Sequence, residues 1–336
     1  MKRANYFAKK TRIIFLLTLT LVASLVLGGC NNGADSTSSE PQQDTPQQNA
    51  PSESNTGANH ENSSISSSQL VKEFETLVQG TESLPQAFHF IDEHIEELSS
   101  EDASHVLLAL EDVQSKELAG FVNRYFKDTI QEQITSLYKI DDSIKDLIDK
   151  ASDESLKSLL TETQDSGYVL ATAEGMFAPV IDYSKVSPYL EKTNDETKAY
   201  FELRETESKK PSLRDAALVI SWEELLNRGI AAERFTTKYP NAVRIKEVIS
   251  LRDNYMMTIF YGANNTPLFS YDTKLMDSEA RKTYESALST NAEHTESSLM
   301  KDLEAFMSTA AKENYKQTEA LKKLQSKFAP FVESAS

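Results

Sequence analysis

The chain has 336 residues, with 35 Lys and Arg against 52 Asp and Glu, and its formal net charge is −17. Nucleic acid and anionic lipid repel a chain this acidic, so we exclude both as binding partners. The single cysteine excludes an intramolecular disulfide and a cluster of thiolate ligands.

The first 29 residues have the pattern of a signal peptide. Residues 1–12 carry five basic side chains and no acidic one, and residues 13–27 are a run of apolar residues with Thr and Ser. About 15 such residues suit the apolar part of a signal peptide better than a membrane-spanning helix, which needs about 20. The small residues Gly28 and Gly29 then precede Cys30. We predict a signal peptide over residues 1–29, the alternative being an uncleaved anchor helix with an incidental cysteine.

The run Leu27-Gly28-Gly29-Cys30 resembles the lipobox of bacterial lipoproteins, which consists of an aliphatic residue, two small residues and a cysteine. The resemblance implies that Cys30 is lipidated and holds the chain on the extracytoplasmic face of the cell membrane. Two or three acyl chains would anchor it firmly, because each buried CH₂ group adds about 0.8 kcal/mol. The Ser- and Thr-rich segment that follows Cys30 is most similar to lipoproteins of Gram-positive bacteria.

Residues 30–68, which begin with the lipidated cysteine, are predicted to be a disordered tether. From residue 31 to residue 68 there is no Lys, Arg or aromatic residue, and Ile65 is the only large aliphatic residue. Such a segment cannot bury enough apolar surface to offset the entropy lost on ordering. A flexible chain of this length spans roughly 35 Å on average. The tether would therefore let a folded domain clear the lipid headgroups.

Residues 69–336 are predicted to form an acidic all-α domain, either a multi-helix bundle or an irregular helical array. Ala, Leu, Glu and Lys are plentiful, and apolar residues recur at helical spacing. Pro179 and Pro188 give a possible sub-boundary near residues 178–192. The predicted helices lie near residues 71–78, 85–98, 100–110, 115–138, 141–150, 152–177, 194–209, 212–235, 243–261, 278–288, 295–311 and 314–328.

The predicted helix over residues 152–177 places Gly167 and Glu174 on its apolar face. Gly167 would let a neighbouring helix approach closely. An ionised carboxylate on an apolar face needs a partner or a raised pKa. Glu174 is therefore a candidate either for a buried ion pair with Arg or Lys, or for a role in ligand binding or proton handling.

A helical hairpin is predicted over residues 221–262. An aromatic residue, Phe235, is followed by the Tyr239-Pro240 step and a second helical pattern. This junction resembles the turn of tetratricopeptide-like repeats in exported bacterial scaffold proteins, which implies two antiparallel helices. No second copy occurs at a spacing of about 34 residues. The alternative is an ordinary helix that ends at a proline.

Residues 262–272 are the longest turn-rich connection in the predicted domain. Asn264 and Asn265 offer polar side chains there, and loops held by rigid helices often carry recognition. These two residues are therefore candidate binding residues. The alternative is an ordered connector that Phe269 fixes to the core.

His94 and Glu97 are candidate metal ligands. An imidazole and a carboxylate three residues apart on a helix share one face, so both can reach one cation. The pair is similar to the His-x-x-Glu element of imelysin-type exported helical proteins, several of which are lipoproteins linked to iron uptake. That resemblance implies a divalent metal as a cofactor, although Asp92 replaces the glycine of the element. The alternative is a solvated helix face.

No catalytic motif is found in the sequence, which has no Gly-x-Ser-x-Gly, P-loop, Gly-x-Gly-x-x-Gly or His-Glu-x-x-His pattern. We therefore expect no enzymatic activity, no catalytic residues and no obligatory cofactor. The sequence favours a membrane-anchored lipoprotein whose helical domain is a non-catalytic binding or scaffold domain for a protein partner in the cell envelope. The alternative is a metal- or small-solute-binding lipoprotein that works beside a transporter.

Overall fold

The computed structural model describes residues 66–80, 83–290 and 297–329. The predicted signal peptide, the lipobox with Cys30 and the tether up to residue 65 lie outside these residues. A compact unit begins at Ser67, close to the predicted start of the domain. Within the described ranges, every helix is too short or too polar to serve as a membrane span.

The predicted all-α class is confirmed, and short β-hairpins interrupt the helices. The helices are α1 (Ser67–Leu77), α2 (Leu84–His94), α3 (Ser100–Tyr125), α4 (Ile130–Leu137), α5 (Ile144–Lys150), α6 (Glu154–Asp165), α7 (Asp195–Lys209), α8 (Trp222–Lys238), α9 (Ile245–Tyr261), α10 (Ser278–Ser289), α11 (Ser298–Lys312) and α12 (Glu319–Gln325). Short 3₁₀ helices cover Ile95–Glu97, Tyr183–Lys185, Ser187–Lys192 and Ser326–Phe328.

Three antiparallel hairpins connect these helices. Strand β1 (Tyr168–Ala173) pairs with β2 (Met176–Ile181), β3 (Leu213–Arg214) with β4 (Ala217–Leu218), and β5 (Gly262–Ala263) with β6 (Thr266–Pro267). In the first hairpin Tyr168 lies opposite Ile181, and Ala173 lies opposite Met176. Each hairpin therefore turns through only two residues.

Polar side chains fix where several helices begin. The Ser221 hydroxyl accepts a hydrogen bond from the amide of Glu224 at 3.1 Å, so Ser221 is the N-cap of α8. The expectation that a helix begins near Ser212 was wrong. The Ser212 amide and hydroxyl instead donate to the carboxylate of Glu207 at 2.7 and 2.9 Å, so Ser212 is held in the connection before β3.

Two hydrophobic clusters form the core. The smaller cluster lies where the end of α3 meets α4, α5, α6 and β2, and it is built from residues 125–177. The larger cluster takes residues from α1, α2, α3 and α7 to α12. It includes Tyr168, which precedes the segment 178–192 in the sequence, and Tyr200, which follows it. The larger cluster therefore contains residues from both sides of that segment.

The predicted helix over residues 152–177 was wrong in its second half. Helix α6 ends at Asp165, and Gly167 adopts a left-handed φ of 74° before β1 begins. Glu174 and Gly175 have φ values of 50° and 75° and form the two-residue turn of the hairpin. Glu174 is consequently exposed on a turn, so the buried ion pair that an apolar helix face would have required does not arise.

The predicted pair of helices over residues 221–262 is present as α8 and α9. They pack closely at Gly229, where an added Cβ would lie 3.0 Å from the Ile259 side chain. The rings of Phe235 and Tyr239 are 5.2 Å apart at the end of α8. The closeness at Gly229 is the reason for a glycine inside this helix.

Candidate functional site

The turns of the three hairpins meet on one exposed surface, which we call the hairpin platform. It consists of Glu174-Gly175 from the β1–β2 turn, Asp215-Ala216 from the β3–β4 turn and Asn264-Asn265 from the β5–β6 turn, all of them exposed. The platform therefore brings together Glu174, Asn264 and Asn265, which the sequence analysis selected for separate reasons.

Asp215 connects the three turns. Its Oδ1 atom accepts a hydrogen bond from the Glu174 amide at 3.0 Å, and its backbone carbonyl accepts one from the Asn265 side-chain amide at 2.7 Å. The Asn265 backbone amide donates to the Ala216 carbonyl at 2.8 Å. The amide of Leu218 on β4 also donates to the hydroxyl of Thr266 on β6, at 3.2 Å. The platform is thus one hydrogen-bonded unit made from three distant parts of the chain.

The backbone of the platform is held in an uncommon conformation. Glu174, Asp215 and Ala216 have φ values of 50°, 48° and 57°. A non-glycine residue in this region costs roughly 1–2 kcal/mol, and Ala216 has no polar side chain that could compensate. The surrounding contacts must therefore hold the turns in place, and the platform is a preformed surface.

A partly buried ion pair holds the chain segment that leads into the β3–β4 hairpin. The Arg228 guanidinium, on α8, donates to the Glu207 carboxylate at 2.8 Å and to the Lys210 carbonyl at 2.8 Å. The Tyr255 hydroxyl, on α9, donates to the same carboxylate at 2.7 Å. Burial, together with the nearby Glu207 charge, raises the pKa of Tyr255 well above its ordinary value, so this phenol stays a neutral donor. The connection that leads into β3 is thereby fixed to α8 and α9.

A second buried network surrounds Glu111 on α3. Its Oε1 atom accepts hydrogen bonds from the hydroxyls of Tyr183 at 2.7 Å and Tyr200 at 2.5 Å. Its Oε2 atom accepts one from Arg244, which precedes α9, at 2.9 Å. Arg204 in turn donates to the Tyr183 hydroxyl at 2.7 Å, and burial raises the pKa of both tyrosines. Both carboxylate oxygens of Glu111 face protein donors, so we interpret this network as a structural brace.

The structure places His94 and Glu97 side by side. The His94 Nδ1 atom lies 2.9 Å from a Glu97 carboxylate oxygen, where α2 passes into the following 3₁₀ turn. The neighbouring Glu93 instead pairs with His89 at 3.4 Å. Across the described ranges, no three His, Cys, Asp or Glu side chains are grouped so that they could hold a metal ion. The pair therefore supplies two donors, and a metal site here stays a prediction.

A pocket of about 340 Å³ lies among α8, α10 and α11. Leu226, Ile230 and Met300 provide its apolar lining, and Glu223 and Lys282 are exposed charged residues among those that line it. Its size is at the lower end of the range for small-molecule sites. It is separate from both His94 and the hairpin platform in the residues that line it.

Three comparisons with known proteins found no match for this chain. No family model matches it, no curated protein matches it, and no solved structure matches it.

Gly175, Asp215 and Ala216 are the platform residues that the sequence analysis missed, and the β3–β4 turn was missed entirely. A turn-forming Asp and a small residue lie between two short apolar-containing pairs, Leu213-Arg214 and Ala217-Leu218. That pattern is typical of a two-residue hairpin, although Asn-Gly or Asp-Gly would have indicated it more strongly.

Proposed function

We propose that this chain is an extracytoplasmic lipoprotein of a Gram-positive cell envelope whose helical domain binds a protein partner without catalysis. Lipid on Cys30 would anchor it to the membrane, and the segment up to the start of α1 would serve as the tether. The observation that carries the binding role is the hairpin platform, in which three remote turns are joined through Asp215.

A preformed surface favours binding because little conformational entropy is lost when a partner docks. The platform has this property, since its turns are hydrogen-bonded to one another and Arg228 holds the segment that leads into β3. Loops mounted on a rigid scaffold are common carriers of recognition. A helical framework with three joined turns is such an arrangement.

The surface chemistry near the platform supports a protein partner. Leu213 and Val219, in and beside the β3–β4 hairpin, are 38% and 45% exposed, next to the polar turn residues. Apolar side chains surrounded by polar ones are typical of protein interfaces. The net charge of −17 would also steer a basic partner toward this domain.

Photo-crosslinking in intact cells tests the proposal. A photoreactive amino acid replaces Asn264 on the platform, and a matched variant carries it at Glu304, an exposed residue of α11. We expect a discrete protein adduct from Asn264 that is absent from Glu304. Adducts of the same kind from both positions, or none from Asn264, would refute a binding role for the platform.

The anchoring half of the proposal has its own test. Cys30→Ser removes the sulfur that would carry the lipid, so the protein should move from the membrane fraction to the medium and lose its acyl-modified N-terminal peptide in mass spectrometry. Membrane retention of the Cys30→Ser chain would contradict lipid anchoring.

The alternative of a metal- or small-solute-binding lipoprotein is favoured by the adjacent His94 and Glu97 side chains and by the pocket among α8, α10 and α11. Melting of the protein with chelator, and then with Fe, Mn, Zn and Ca in turn, tests the metal form. Binding at a hundredfold excess over the Kd stabilises the native state by about 2.7 kcal/mol. A saturable shift with one metal that His94→Ala abolishes would place this function ahead of partner binding.

A further inference from the structure

The outer edge of β2 is closed to further strand pairing by three different groups. The Gln131 side-chain amide donates to the Phe177 carbonyl at 2.8 Å and accepts from the Phe177 amide at 2.9 Å. Pro179 has no N–H to offer. The Ser208 hydroxyl donates to the Ile181 carbonyl at 3.2 Å. At every second residue of this strand, at least one outward backbone group is therefore bonded to a side chain or, at Pro179, lacks the N–H.

The outer edge of β1 is open. The Asp182 amide donates to the Gly167 carbonyl at 2.9 Å, which fixes the alternation of the ladder, so that residues 169, 171 and 173 bond to β2 and residues 170 and 172 face away. Among the described residues, none forms a hydrogen bond with the outward backbone groups of Leu170 or Thr172. Both residues are half-buried, so neither is enclosed in the core.

An unpaired edge is a template for another strand, and proteins usually block such edges. Here one edge of a two-stranded sheet is obstructed at three successive outward positions, whereas at Leu170 and Thr172 the other edge presents N–H and C=O groups that no described residue binds. The sequence of β1, Tyr-Val-Leu-Ala-Thr-Ala, has no charge and no proline that would oppose pairing. This difference between the two edges indicates that the β1 edge is kept open.

We infer that the β1 edge binds an extended segment of the protein partner as an added strand, through the backbone of Leu170 and Thr172. The inference rests on the proposed binding function and specifies how the partner is held. Strand addition gives affinity through main-chain hydrogen bonds, and its specificity comes from the flanking side chains. The β1 edge ends at Glu174, so the added strand would run directly up to the hairpin platform.

Charge identifies the kind of segment that fits. Carboxylates lie at both ends of β1, with Asp165 and Glu117 near Tyr168 and with Glu174 and Asp215 at the turn; Arg214 is the basic side chain next to Asp215. A partner segment with a β-branched, apolar centre and Lys or Arg on either side would complement this pattern. A second copy of this chain would bring the same carboxylates and a net charge of −17 to the interface. We therefore assign the edge to a basic partner segment.

Two synthetic peptides and two variants test the assignment on the full-length protein in detergent micelles. Both peptides have capped ends and three Thr-Val repeats, and they differ in having two Lys or two Glu on each side. Thr172→Pro removes the outward N–H and keeps the bonds to β2, which the inward residues make. Thr172→Val is the matched control, because it keeps the N–H and changes only the side chain.

Fluorescence anisotropy should show that the Lys-flanked peptide binds the wild type saturably and binds Thr172→Pro about tenfold more weakly, while Thr172→Val changes its affinity little. The Glu-flanked peptide should bind about tenfold more weakly than the Lys-flanked one at low salt, with a smaller difference at high salt. Equal binding by Thr172→Pro, or no saturable binding of the Lys-flanked peptide, would overturn the inference. A wild-type dimer that Thr172→Pro abolishes would overturn the choice of a partner segment over a second copy.

Crosslinking from Asn264 in cells carrying Thr172→Pro separates this inference from the proposed function. Loss of the adduct, with circular dichroism showing that the variant is folded, would support the edge as the partner's docking strand. An adduct that persists at full yield would refute strand addition and leave the proposed binding function standing. No adduct even with Thr172 intact would refute the binding function itself.

Discussion

Three glycine-to-alanine substitutions separate the steric reason for a glycine from the conformational one. Gly167 and Gly175 share a left-handed backbone, with φ values of 74° and 75°. They differ in space, because a Cβ at Gly167 would lie 2.4 Å from the Phe88 ring and 2.5 Å from the Gln114 side-chain nitrogen, whereas a Cβ at Gly175 would meet no atom within 4 Å. Gly120 also has open space, and it lies inside α3.

The expected changes follow from these environments. Gly175→Ala should destabilise the fold by roughly 1–2 kcal/mol, the cost of a left-handed non-glycine residue. Gly167→Ala adds overpacking of about 1–3 kcal/mol and disturbs the hydrogen bond from Gln114 to the Gly167 carbonyl, so its total should be roughly 2–5 kcal/mol. Gly120→Ala should stabilise the fold by about 0.5–1 kcal/mol, because alanine favours a helix interior.

Urea unfolding followed by far-UV circular dichroism measures all three changes, with the slope of the transition checked for constancy. The order Gly120→Ala, wild type, Gly175→Ala, Gly167→Ala should appear from the most to the least stable. A Gly167→Ala protein no less stable than Gly175→Ala would show that Phe88 and Gln114 do not lie this close to Gly167. A destabilised Gly120→Ala protein would contradict the open space at that position.

Three further predictions concern charge and backbone strain. Glu111→Gln should lower the free energy of unfolding in urea by about 3–5 kcal/mol, because it leaves the Arg244 charge without its buried carboxylate. Asp112→Asn, on the exposed side of the same arginine, should change stability by less than about 1 kcal/mol. Equal losses of stability would contradict the brace. Ala216→Gly should stabilise the fold by about 0.5–1 kcal/mol by relieving a left-handed φ, and a loss of stability would show that the turn is not strained. Hydrogen bonds from Ser67 and Ser99 lower the pKa of Asp102, and those from Lys210 and Arg228 lower the pKa of Glu224. The stabilisation of the fold by these two carboxylates is therefore complete above the ordinary pKa of about 4 and is lost as the pH falls through the lowered values. Urea midpoints should therefore fall steeply below about pH 4, with a shallower fall in Glu224→Gln, and a midpoint that rises on acidification would refute the sign.

The helices could be predicted from apolar spacing and the hairpins could not, for a specific reason. In the first hairpin Leu170 of β1, Glu174 of the turn and Phe177 of β2 are four and three positions apart. This spacing matches one face of a helix as well as it fits two strands with a turn. The better signal was a pair of glycines, Gly167 and Gly175, that bracket a short run containing β-branched residues. Local spacing alone cannot distinguish the two structures, since the deciding contacts come from Gln131 and α3.

The candidate site shows the same limit. Asn264 and Asn265 could be selected because a turn-rich connection stands out between long helices, and Glu174 was selected on the assumption of a helix that is not there. That these residues meet depends on Asp215, which is 41 positions from Glu174 and 50 from Asn265 in the sequence. Nothing local to any of these turns indicates the others.

The brace at Glu111 also constrains the order in which the molecule can fold. Its partners Tyr183, Tyr200 and Arg244 follow it by 72, 89 and 133 residues. A ribosome that makes the chain from its N-terminus delivers α3 long before the guanidinium that neutralises its buried carboxylate, and contacts across such separations form slowly. The polar contacts of α3 through Glu111 are therefore complete only once the start of α9 has been made. Chains cut short before residue 244 should thus fail to reach the native packing of their own first helices.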